Sequence, residues 1–88
     1  MKMIMAIVEG QYSDSTASAL VNANFRVTRL ASTGGFLREG ATTLMVGVEN
    51  EQLENALDII REQIPLLEDP EKFRATIYVL NVKDFRRV

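Results

Sequence analysis

Apolar residues occupy every position of the segment MIMAIV, Met3 to Val8. An unbroken run this short predicts a strand buried on both faces rather than a core helix. The period then changes. In DSTASALVNAN, Ala17, Leu20 and Val21 fall on one face at helical spacing, with Ser13, Asp14 or Ser15 as the N-terminal cap. Asparagine readily closes a helix, so this one is predicted to end between Asn22 and Asn24. FRVTRLA, Phe25 to Ala31, carries the strand formers Phe25, Val27 and Thr28. Thr33-Gly34-Gly35 ends that strand, and after Gly40 the segment ATTLMVGV, Ala41 to Val48, forms the next. Consecutive strands joined by a short glycine-rich link pair as an antiparallel hairpin.

The clearest helical stripe follows, with Leu53, Ala56, Leu57, Ile60 and Ile64 on one side, Asn50 as its cap, and Asp58 and Arg61 at i,i+3. PLLEDPEK is a connector punctuated by Pro65 and Pro70. FRATIYVLNV, Phe73 to Val82, is the last strand, and KDFRRV is a tail. The order is therefore βαββαβ, an α+β, ferredoxin-like sandwich of a four-stranded antiparallel sheet with two helices on one face. The first and last strands are apolar on both sides, which two helices on one face cannot cover. Self-association is the expected remedy, since a large exposed apolar patch is costly and prone to aggregation.

Eighty-eight residues, 47% apolar and 25% charged, fit one folded domain spanning residues 1–88. With no cysteine and no histidine, disulfides and thiolate metal sites are excluded, and no metal site is expected. A formal charge of −2 argues against coating a nucleic-acid polymer, which takes many cations. The short apolar run at the start, followed at once by Glu9, predicts neither a cleaved leader nor membrane insertion, and the location read from it is cytoplasmic.

Catalysis finds little support. Acid/base chemistry needs a group titrating near working pH or a pair of carboxylates, and the acidic residues are scattered, most of them in or beside the second helix. Ser13, Ser15 and Ser32 have no histidine to activate them, and neither the phosphate-loop nor the dinucleotide fingerprint is present. No enzyme activity is expected.

The stretch FRVTRLASTGGFLREGATT is richer. Gly34 and Gly35 make either a plain hairpin turn or a backbone surface that holds an anion. Phe36 beside them stacks on a base or packs against another subunit. Arg26 and Thr28, two apart on a strand, project from one face, where guanidinium and hydroxyl can bind phosphate; Arg29 points the other way as a solvated strand residue. Gly47 sits inside an otherwise apolar strand, where glycine costs stability unless a ligand or a neighbouring subunit comes close. Lys83, Arg86 and Arg87 either add positive charge to a cleft or form a solvated terminus, the commoner outcome for such a run.

These residues carry a resemblance. MKMIMAIV, NFRVTRLASTGGFLREGATT, VGVENEQLENAL and the closing YVLNVKDFRRV are similar to the cyclic di-AMP receptor family related to the PII signal-transduction proteins. The resemblance implies a PII-like homotrimer without catalytic activity or a resident cofactor. It also implies a regulatory ligand, cyclic di-AMP or another adenine nucleotide, held in clefts between subunits, and a protein partner of unknown identity. Ligand contacts carried over fall on Asn24, Arg26, Thr28, Gly35, Phe36, Leu37 and Gly47. Nucleotide-binding members have asparagine where this chain has Ala41, and a glutamine is matched here by Arg87. The long loop of typical members is replaced by the short Ile64 to Phe73 connection, making this a shortened, divergent member. A PII-like structural or protein-interaction module that has lost nucleotide binding is the alternative.

Overall fold

The computed structural model describes residues 1–30, 40–64 and 75–88. Over them the order is β1 (Lys2–Glu9), α1 (Gly10–Asn22), β2 (Arg26–Leu30), β3 (Ala41–Val48), a 3-10 turn (Asn50–Gln52), α2 (Leu53–Gln63) and β4 (Ala75–Asn81). The strands form one antiparallel sheet in the order β2-β3-β1-β4. This is the ferredoxin-like α+β arrangement, with both helices packed on one face. Ala31 and the connector residues 65–74, including the predicted start of the last strand at Phe73, lie outside the described residues.

The register explains where the core sits. Ile4 lies opposite Val46 and Ala6 opposite Leu44, and all four side chains are 0% exposed beneath the helices. From the helix side Leu20, Ala56 and Ile60 complete the cluster at the same zero exposure. Fully burying a leucine or isoleucine stabilises by about 1.5–3 kcal/mol, so these facing rows dominate the fold. Because strand side chains alternate, the remaining positions of β1 and β3 must point to the other, helix-free face.

Helix α1 departs from the predicted start. It begins at Gly10 directly out of β1, and none of the candidate caps caps it. The Gly10 N–H donates instead to the Gly40 carbonyl at 2.8 Å, a partner supplied by the segment entering β3. Ser13 is buried inside the helix, where its hydroxyl donates back to the Gly10 carbonyl. Ser15 donates likewise to Tyr12, and Asp14 reaches across to Arg29. The buried stripe is Ser13, Thr16, Ala17 and Leu20; Val21, expected on it, is 55% exposed. The C-terminal end matches expectation: Asn22 is the last helical residue, and Asn24 takes the left-handed backbone (φ 71°) that asparagine tolerates.

For α2 the stripe is as predicted, with Ala56, Leu57 and Ile60 buried and Leu53 and Ile64 partly so, and Arg61 pairs with Asp58 at 2.9 Å. Asn50 does not cap it: Asn50 opens the 3-10 turn, and α2 proper starts at Leu53 without a side-chain cap. β4 is also corrected. Tyr78 and Leu80 are exposed on the helix-free face, as expected for a single chain, whereas Val79, opposite Ile4 on the helix side, is 42% exposed although burial there was expected, because β4 is an edge strand.

The Gly10–Gly40 contact gives a prediction whose sign runs against helix propensity. A Cβ at Gly10 would stand 2.8 Å from the Gly40 carbonyl oxygen, so Gly10→Ala forces two backbone segments apart. A loss of about 1–3 kcal/mol is expected in chemical denaturation, even though alanine is the better helix former. A variant as stable as the parent would show that the contact yields freely.

Candidate functional site

Arg26, Thr28 and Leu30 alternate with Val27 and Arg29 along β2. The register puts Arg26 opposite Gly47 and Thr28 opposite Met45 on the helix-free face, while Val27 meets the core residue Val46. Across the sheet this makes a row of Arg26, Gly47, Met3 and Leu80, and below it a row of Thr28, Met45, Met5 and Tyr78. Arg29 sits on the helix side, and rather than being merely solvated it donates to Asp14 at 2.7 Å.

A cavity of about 380 Å³ lies over the first row. Its walls include Arg26, Thr28, Met45 and Gly47 from β2 and β3, and Val82, Phe85 and Arg87 from the tail. The tail is tied down where the Val82 N–H donates to the Met1 carbonyl at 3.1 Å. Predicted residues far apart in sequence, Arg26, Thr28, Gly47 and Arg87, therefore meet in one place. Asn24 lines a neighbouring cavity of about 260 Å³ together with Glu49 and Gln52, and Met1, Arg26 and Gly47 are walls of both. Gly47 brings bare backbone to both cavities, and a Cβ there would stand 3.1 Å from Met1 Cε.

The electrostatics favour an anion. Arg29, Arg61 and Arg86 each pair with a carboxylate, whereas among the described residues Arg26 and Arg87 form no ion pair. Two guanidinium groups on the wall of one cavity repel each other until an anion comes between them. No described carboxylate lines the larger cavity, and the rest of its wall is thioether, aromatic and aliphatic, suited to a ring. Among the described residues no three acidic side chains gather as a metal site would require.

Gly35, Phe36 and Leu37 lie outside the described residues. Ala41 is buried at the end of β3 away from Gly47 and lines neither cavity. Met1, Met3, Met45 and Phe85 were missed from sequence as cavity walls; the alternation that places Arg26 outward also places Met3 and Met45 there, but nothing local marks Met1 or Phe85. Glu49 and Gln52 were missed because they read as the approach to a helix.

The family model described as cyclic-di-AMP receptor matches residues 1–68. The chain belongs to that family. Among solved structures, a functionally unknown protein from Pediococcus pentosaceus is 33% identical with a TM-score of 0.78, over 99% of this chain and 96% of that one. The PII protein of Arabidopsis thaliana, in a structure bound to citrate, is 27% identical with a TM-score of 0.72, over 99% of this chain and 79% of that one. Fold and family are those of a non-catalytic, PII-like regulatory protein. No helix among the described residues is long and apolar enough to cross a membrane.

Since Arg26 and Arg87 support no described ion pair, their removal should spare the fold. Arg26→Ala and Arg87→Ala are expected to change unfolding free energy by less than about 0.5 kcal/mol, as exposed positions outside core or cap do. A loss above about 2 kcal/mol in either variant, measured by urea denaturation, would assign that arginine a structural role.

Proposed function

We propose that this chain is a signal-transduction protein that binds a small anionic nucleotide, cyclic di-AMP or another adenine nucleotide, at the cavity walled by Arg26 and Arg87. The observation that carries the reading is the meeting of two guanidinium groups, unpaired among the described residues, with Thr28 and the bare backbone of Gly47 over an apolar floor. Guanidinium pairs with phosphate through two parallel hydrogen bonds, and the Thr28 hydroxyl adds a third polar contact. Met3, Met45 and Phe85 give the larger cavity its apolar floor. In this reading Gly35 and Leu37 orient the ligand through their backbone, and Phe36 stacks on the base.

The helix-free face supports a homotrimer. Leu30, Tyr78, Leu80 and Phe85 are exposed in the single chain, large apolar side chains that packing between copies would bury. Copies packed on that face would put each cavity at a subunit border, and the loops would report occupancy to a cytoplasmic protein partner.

Titration calorimetry with cyclic di-AMP and ATP tests the binding. Saturable heat with at least one of them is expected, and Arg26→Ala should weaken it by about 10–100-fold, the usual worth of a hydrogen bond to a charged group. No heat from either nucleotide, or an affinity untouched in Arg26→Ala, would refute the assignment and favour the ligand-free interaction module. For assembly, light scattering should give three chains per particle for the parent and single chains for Tyr78→Asp; a parent that is a single chain at micromolar concentration would rule the trimer out.

A further inference from the structure

The smaller cavity has a chemistry that phosphate binding leaves unused. It brings two side-chain amides, Asn24 and Gln52, and the Glu49 carboxylate next to the shared wall of Arg26 and Gly47. The larger cavity has no side-chain amide among its described walls. Glu49 and Gln52 are fixed relative to each other by one turn, in which the Gln52 N–H donates to the Glu49 carbonyl at 2.9 Å. Asn55 Nδ2 donates to Gln52 Oε1 at 3.5 Å, a long and exposed contact that involves only the carbonyl end of the Gln52 amide.

This turn offers a donor beside an acceptor-only group. The edge of a purine such as adenine presents the complement, a ring-nitrogen acceptor beside an exocyclic amino donor. We infer that Gln52, with Glu49 beside it, reads the base edge of the ligand, while Arg26 and Arg87 hold its phosphate across the shared wall at Gly47. The inference rests on the nucleotide reading above and makes Gln52 a specificity-determining residue.

Calorimetry of AMP against ribose 5-phosphate, its base-free counterpart, separates the two functions. The parent protein should bind AMP at least about tenfold more tightly than ribose 5-phosphate. Gln52→Ala, and Gln52→Met, which keeps the bulk without the amide, should lose about tenfold for AMP and leave ribose 5-phosphate unchanged. Arg26→Ala should weaken both by the same factor. The inference is overturned if Gln52→Met binds AMP as tightly as the parent, if the Gln52 variants weaken both compounds equally, or if AMP does not bind. Failure of cyclic di-AMP, ATP and AMP alike would remove the nucleotide reading itself, whereas AMP binding with indifferent Gln52 variants would remove only the role of Gln52.

Discussion

The cross-strand packing of Ile4 on Val46 and Ala6 on Leu44 fixes everything else in this molecule. Side chains alternate along a strand with a period of two, so committing these residues to the helix side commits their neighbours to the other. Arg26, Thr28, Gly47, Met3 and Met45 share the open face for that reason and no other. A slip of one residue between β2 and β3 would turn Arg26 toward the helices and Val27 outward, losing core and cavity together. The chemistry of the open face is thus held in place by hydrophobic packing on the opposite side of the sheet.

What could be read from the residues alone follows from how local each signal is. The strand from Ala41 to Val48, the stripe on α2 and the common face of Arg26 and Thr28 are periodicities, and periodicity needs no knowledge of the rest of the chain. Gly47 stood out because a glycine in an apolar strand contradicts its surroundings. The start of α1 was misread because its first N–H is satisfied by Gly40, a partner thirty residues further along the chain that no local pattern announces. Ser13 has the right side chain for a cap, yet a serine inside a helix uses the same hydroxyl to bond back to a carbonyl of the preceding turn. The apolar outer face of β4 is open in the single chain, as two helices on one face require; only Val79, on the helix side, is more exposed than its period implies, because β4 is an edge strand. The basic tail suggested added positive charge for a cleft, but a short tail has no period to say which of Lys83, Arg86 and Arg87 lines it, and of the three only Arg87 does.

The distribution of arginines separates surface from site more sharply than total charge does. A net charge of −2 hides a cavity whose described walls carry two cations and no carboxylate. The pairs Arg29–Asp14, Arg61–Asp58 and Arg86–Asp84 are exposed and worth at most about 1 kcal/mol each to stability.

A ligand site on an unsheltered sheet face has a thermodynamic consequence. Arg26 and Gly47 share their row with Met3 and Leu80, so the surface that would bury apolar area between copies is continuous with the surface that would hold phosphate. Under the trimeric reading, anything that binds the closed cleft better than the lone chain stabilises the assembly by mass action, and the assembly in turn raises ligand affinity by the same factor. Such coupling needs no relay of moving parts through the core, which is close-packed and fully buried at Ile4, Leu44 and Val46. A small protein without catalytic groups can in this way convert the concentration of a nucleotide into the shape and persistence of a surface that another protein reads.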